Sequence, residues 1–292
     1  MHPFDPGPVA LGCMSLPLHD EALARRTLLH AVNLGIRLFD TADLYDKGHN
    51  ESFVGQTLRP HRQQVLLATK VGNQWRADGS GWDWNPRKDY ILQAAEDSLR
   101  RLGTDYIDLY LLHGGTVQDP IDETIDAFET LLAAGKIRHW GISSIRPDVV
   151  RQYLARSTMD ALMCQYGAAD RRPEEDILPA MASKGLRLLA RGVLAKGMLC
   201  GKSAKPYLGH GADTLRKAAS IVAGYASPAR SPAQTAIRFV LQRYPMATAV
   251  IGASHPEQVD DMAGTANTPP LTDDQIQAIA DALPADTYTE HR

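Results

Sequence analysis

Apolar and polar positions follow one repeating rhythm along this chain: a short apolar run stops at a polar residue, a loop follows, and apolar residues then recur at three- to four-residue spacing. The apolar runs, at 8–14, 36–39, 64–69, 106–112, 137–142, 161–164, 186–190 and 247–251, read as strands. Helical spacing occupies 22–34, 51–58, 90–102, 121–134, 147–155, 174–183, 232–244 and 256–266. In the first of these, Leu23, Leu28, Leu29 and Val32 share a face and Gly35 closes it. In the third, Ile91, Ala94, Ala95, Leu99 and Leu102 do the same before Gly103. Asn50 is placed to cap 51–58, and Thr272 to cap an additional C-terminal helix over 271–283.

Eight strand–helix units predict an α/β chain folded as a (β/α)8 barrel, one domain across 1–292, with the extra C-terminal helix and a long loop after strand seven at 203–229. A doubly wound sheet is the other architecture with this alternation. Its dinucleotide fingerprint needs three glycines in the first turn, and only Gly12 stands there.

Composition narrows the function classes. A net charge of −3 and a pI near 6.4 give no electrostatic footprint for nucleic acid or an anionic membrane. Cys13, Cys164 and Cys200 are odd in number and far apart, as in a reducing compartment. Residues 1–6 lack the basic and apolar regions of a signal peptide, and no apolar run approaches a membrane span. The expectation is a cytoplasmic protein with no nucleic-acid or membrane partner and no metal, since no His or Cys cluster has ligand spacing.

Candidate chemistry sits where the strands stop. Asp40, Lys70 and His113 are each the first polar residue after a strand, and Tyr45 follows Asp40 closely. A barrel brings all C-terminal strand ends to one mouth. Singly, Lys70 reads as a solvated lysine and His113 as a hydrogen-bonded histidine; together the four make a site. A nearby ammonium lowers a phenol's pKa, a carboxylate keeps that ammonium charged, and an imidazole donates a hydrogen bond. Such a set suits proton donation to a developing alkoxide, as carbonyl reduction by hydride requires.

The segments GCM (12–14), DTADLY (40–45), ATK (68–70), DYIDLYLLH (105–113), GKIRHWGISS (135–144), Gln165-Tyr166, LAKGMLCGK (194–202) and VIGASHPEQVDD (250–261) together resemble the aldo-keto reductases. The resemblance implies a TIM-barrel oxidoreductase reducing an aldehyde or ketone, with Tyr45 as general acid, Lys70 and Asp40 tuning it, and His113 orienting the carbonyl. It implies NADP(H) as cofactor. Gly12, Cys13, Met14 and Asp40 would lie along it, Ser143, Ser144 and Gln165 would hold the nicotinamide carboxamide, and Tyr166 would be near the ring. Arg191, Gly192, Val193, Leu194, Gly197 and Lys202 would line the pyrophosphate, and Gly252, Ala253, Ser254, Gln258 and Asp261 the adenosine end. The substrate pocket would be Tyr45, His113 and Trp75, from a Trp-rich loop at 73–89.

This chain departs from the family pattern at several points. Ser144 replaces the usual Asn, Gly192-Val193 the usual Ser-Pro, and Met262 the Asn near adenine. No Lys or Arg stands at 252–258 to pair a 2′-phosphate, which leaves Arg230 and Lys202 as the candidate cations. Family members often carry an N-terminal hairpin under the barrel; here the bottom is expected to be plugged differently. Two other readings exist: a cofactor-binding regulatory subunit of the channel β-subunit type with little turnover, and a metal-dependent hydrolase, which would need a second strand-end His.

Overall fold

In the computed structural model, which describes residues 4–292, the strands are β1 (Val9–Gly12), β2 (Leu38–Asp40), β3 (Leu66–Val71), β4 (Asn73–Trp75), β5 (Trp82–Trp84), β6 (Ile107–Leu112), β7 (Ile137–Ser143), β8 (Ala161–Gln165), β9 (Arg187–Arg191) and β10 (Ala247–Gly252). Eight of them, grown from the apolar runs, close into a parallel barrel in the order β1-β10-β9-β8-β7-β6-β3-β2. The other two, β4 and β5, pair as a hairpin in the loop after β3.

Strand alternation sets what faces inward. Ala10, Leu38, Ala68, Leu109, Leu111, Ala161, Met163, Leu189 and Val250 form a buried cluster distinct from the one under the helices. Continuing the same period carries seven of the eight barrel strands one inward step further, to Gly12, Asp40, Lys70, His113, Gln165, Arg191 and Gly252. Those positions therefore ring the mouth. At the opposite end Phe4, 2% exposed, joins the interior cluster and packs its ring 5.0 Å from that of His139. Among the described residues, Phe4 is the aromatic side chain of this interior cluster.

The helices are α1 (Glu21–Asn33), α2 (His49–Leu58), α3 (Lys88–Leu102), α4 (Ile121–Ala133), α5 (Pro147–Arg156), α6 (Ile177–Ala182), α7 (Ala212–Gly224), α8 (Pro232–Arg243), α9 (Pro256–Ala263) and α10 (Asp273–Ala282). Gly103 ends α3 at φ +63, and Thr272 opens α10 through a reciprocal capping box with Gln275. Asn50 is not the cap of α2: that position belongs to Gly48, and Asn50 lies buried inside the helix. Its amide donates to Cys13 O at 3.0 Å and accepts from Thr41 Oγ1 at 2.6 Å, which ties the 41–45 loop to the β1 end.

The long connection after β9, the seventh barrel strand, contains α7, buried through Leu215, Ala218 and Val222. Flanking glycines and the lack of a cap residue hid this helix in the sequence.

Candidate functional site

Lys70, 1% exposed, sits at the centre of the mouth. Its ammonium donates to Asp40 Oδ1 at 2.7 Å, Thr41 O at 2.6 Å and Tyr45 Oη at 3.4 Å. Three donors meet three acceptors, so the charge is buried without an orphan. Because Lys70 donates into the phenol oxygen, the Tyr45 proton is turned away from it, toward the open side. His113 stands edge-on to Tyr45, ring centres 6.0 Å apart. The four residues expected from the strand ends do meet.

Electrostatics assign each a protonation state. Burial alone would depress the Lys70 ammonium, but Asp40 and Tyr45 outweigh it and its pKa is raised. Burial pushes the Asp40 pKa up by more than Lys70 and Arg191 pull it down, while the 2.7 Å contact pairs its carboxylate with the Lys70 ammonium. Tyr45 differs from expectation: burial raises its pKa more than Lys70 and Arg191 lower it, so the phenol keeps its proton. His113 is pushed down to about 3, first by burial and then by Lys70 and Arg191, so it is a neutral imidazole.

Two supports were not legible in the sequence. Trp84 lies flat on two glycines beside the site: a Cβ at Gly72 would fall 2.5 Å from its ring, and one at Gly114 3.3 Å away. Trp84 Nε1 donates to Asp119 at 3.0 Å, and Asn73 Nδ2 to His113 O at 3.4 Å. The hairpin thus wedges the backbones that follow Lys70 and His113. Trp84 packs rather than lining a pocket, whereas Trp75 lies opposite exposed Trp82 with Lys47 Nζ 5.1 Å from its ring centre. Trp75 Nε1 is buried without a hydrogen-bond partner among the described residues.

The second support is a buried acidic layer behind the 40–45 loop. Glu51 accepts from Thr69 Oγ1 and Arg101 Nε, both at 2.6 Å, while Asp43 Oδ1 has no hydrogen-bond partner among the described residues. Burial, then Glu51, pushes Asp43 up to about 8 from 3.8. With the folded pKa the higher, the native state gains from holding the proton; that gain is full below pH 3.8 and is lost as pH rises through 8. Asp43→Asn mimics the neutral acid. It is expected to leave the melting temperature at pH 4 unchanged and to raise it at pH 9, where each tenfold distortion of proton binding that it relieves is worth about 1.4 kcal/mol.

The residues assigned to a cofactor divide by exposure. Ser143 has a hydroxyl with no hydrogen bond among the described residues and only 9% exposure, while Ser144 Oγ accepts from Arg146 N. Gln165 reaches the mouth, with its amide bonded to Arg191 and Asp170. After β9, Gly192 at φ +76 exposes main chain and Gly197 at φ +89 is half-buried, beside an exposed Lys202 whose side chain has no hydrogen bond or ion pair among the described residues. Gly252 is exposed, and Gln258 Oε1 accepts from Ser254 N at 2.8 Å ahead of α9. Gly12 ends β1 and Met14 is 71% exposed. Leu194 is half-buried. Cys13, Val193 and Ala253 are buried and can offer only main chain.

Two assignments change, and a third residue has a further partner. Tyr166, one step out of phase with Gln165, is fully buried beneath the helices and donates to Glu174 at 2.8 Å, so it does not stand at the mouth. Arg230 is also spent, its guanidinium donating to Pro269 O, Pro270 O and Tyr225 O, which leaves Lys202 as the available cation of the pair. Asp261 Oδ1 accepts from Ser231 Oγ at 2.5 Å and so buttresses the cap of α8. Among the described residues no helix is long and apolar enough to cross a membrane.

Known proteins resemble this chain over most or all of its length. The model of the aldo/keto reductase family matches residues 8–284. An aldo-keto reductase from Bacillus halodurans, solved in holo form, is similar with 44% identity and a TM-score of 0.90, covering 98% of this chain and 95% of that one. An uncharacterised oxidoreductase of Bacillus subtilis (strain 168) is 41% identical over 99% of this chain and 96% of its own length. An NADH-specific methylglyoxal reductase of Escherichia coli (strain K12) is 30% identical over 85% of this chain and 84% of its own. A closed (β/α)8 barrel, a mouth that gathers Tyr, Lys, Asp and His, and these likenesses lead to one assignment: the chain belongs to the aldo/keto reductase family.

Proposed function

We propose that this protein is an NADP(H)-dependent carbonyl reductase in which Tyr45 protonates the oxygen of an aldehyde or ketone. The observation that carries the reading is the buried Lys70, which spends one N–H on Asp40, one on Thr41 O and the third on the Tyr45 phenol. A bound dihydronicotinamide supplies the hydride. The chain's own residues do the rest. His113, neutral, donates a hydrogen bond that orients and polarises the carbonyl oxygen. Tyr45 gives its proton to the same oxygen as negative charge develops there, and Lys70 stabilises the phenolate left behind. Asp40 keeps Lys70 charged and fixed, a positioning role.

The cofactor reading draws on what is free: the Ser143 hydroxyl, the exposed main chain at Gly192 and Gly252, and Lys202, which has no ion pair among the described residues. Lys202 is the cation available to a 2′-phosphate, which is why the reduced phosphorylated cofactor is preferred in this reading. Like any carbonyl reductase, the protein would act on small molecules. Loss of nicotinamide absorbance on a panel of aldehydes, 2-oxoaldehydes and ketones tests the reading. NADPH should give at least about tenfold higher kcat/KM than NADH, the equivalent of about 1.4 kcal/mol from one charge pair. Equal values would remove the preference, and no oxidation with either cofactor would favour the non-catalytic regulatory reading.

A further inference from the structure

The inward-facing residue at the end of β9 is Arg191, an exposed guanidinium on the same rim as Asp40, Lys70 and His113. Family likeness puts it on the pyrophosphate, but its hydrogen bond runs elsewhere. Nη1 donates to Gln165 Oε1 at 2.8 Å. The other end of that amide, Nε2, donates to Asp170 Oδ2 at 3.0 Å, and Arg172 grips Asp170 through two bonds of 2.8 and 2.7 Å. The relay fixes which way the Gln165 amide points. Gly192 lets it form: a Cβ there would come 3.0 Å from Gln165 Cγ.

Arg191 has no carboxylate partner among the described residues, and its remaining N–H groups are free. The groups it faces cancel or are neutral. Asp40 and Lys70 form an ion pair, Tyr45 and His113 carry no charge, and the nearest carboxylate of its own relay, Asp170, is neutralised by Arg172. Arg191 thus gives the mouth a net positive charge. Its field acts downward on Asp40, Tyr45 and His113 alike.

We infer that Arg191 sorts the two redox forms of the nicotinamide cofactor, because a guanidinium bonded to the Gln165 amide would lie beside a ring held by that amide, and the ring is neutral when reduced and positive when oxidised. The inference rests on the proposed carbonyl-reductase reading. In that reaction two electrons and a hydrogen leave the ring for the carbonyl carbon, a proton leaves Tyr45 for the oxygen, and the ring is left with one positive charge. Arg191 repels that charge and leaves the reduced ring unaffected, so the spent cofactor dissociates more readily than the fresh one. A pyrophosphate role would behave differently, since that group is identical in both forms and would be attracted equally.

Dissociation constants for oxidised and reduced cofactor, from quenching of protein fluorescence, separate these cases in wild type, Arg191→Lys, Arg191→Gln and Arg191→Met. An exposed side chain with one hydrogen bond can be replaced without loss of the fold, which a melting curve checks. The wild type should bind the reduced form more tightly. Arg191→Gln and Arg191→Met should narrow the ratio of the two constants about three- to tenfold, chiefly by tightening the oxidised form, the effect of removing one charge at about 5 Å in a wet site. Arg191→Lys should retain most of the ratio. A ratio unchanged in the Gln and Met proteins overturns the inference, and equal weakening of both forms returns Arg191 to the pyrophosphate. If the wild type binds neither form, the carbonyl-reductase reading itself fails and the inference with it.

Discussion

Tyr45→Phe lowers kcat for carbonyl reduction by about 10²–10⁴-fold, the usual contribution of a positioned general acid, and leaves the cofactor dissociation constant within about threefold. The substitution removes one oxygen. It takes from Lys70 only the longest of its three hydrogen bonds, 3.4 Å against 2.7 and 2.6 Å, so the ion pair with Asp40 survives and the mouth keeps its shape. KM should change little, because His113 still orients the carbonyl. The wild-type profile gives an independent check. His113, at about 3, and the raised phenol of Tyr45 place no titration between pH 5 and 8, so kcat should be flat there, without the break near 6.5 of an ordinary histidine. A Phe protein retaining more than a tenth of wild-type kcat would remove Tyr45 from the acid role.

Legibility in the sequence followed periodicity. A short apolar run ended by a polar residue, repeated between helical segments, was enough to place Asp40, Lys70 and His113 on one rim, because a barrel brings every C-terminal strand end to the same mouth. The alternation of side chains along a strand, which the run of apolar residues does not display, explains why Tyr166 had to miss: Gln165 faces in, so its neighbour faces out. Long-range side-chain partners carry no such signal. Nothing in the sequence links Trp84 to Gly72 and Gly114, Arg230 to the carbonyls of Pro269 and Pro270, or Arg191 to Gln165. Net pKa directions were also out of reach. The ammonium beside Tyr45 was readable, but the burial that outweighs it depends on how completely the 41–45 loop and its Asn50 anchor shut out water.

Lys70→Met should affect both activity and stability, and the two effects can be separated. Methionine nearly fills the lysine's volume and removes its charge, so Asp40, 5% exposed, is left without its cation. Breaking one side of a buried pair costs about 3–5 kcal/mol, most of it the penalty on the remaining charge. Asp40 escapes by taking up a proton, since burial already pushes its pKa upward and the opposing pull of Lys70 is gone. With Lys70 gone, the folded pKa of Asp40 moves further above the unfolded one, so the single mutant should regain more stability than the wild type does as pH falls toward 5. Adding Asp40→Asn supplies a neutral partner of the same shape. Lys70→Met with Asp40→Asn should therefore recover at least about half of the lost stability at pH 7 in a denaturant titration, while kcat stays depressed at least about 100-fold because no ammonium stabilises the Tyr45 phenolate. Recovery of activity along with stability would mean that Lys70 serves the fold alone; failure to recover stability would mean that its bonds to Thr41 O and Tyr45, rather than its charge, hold the mouth together.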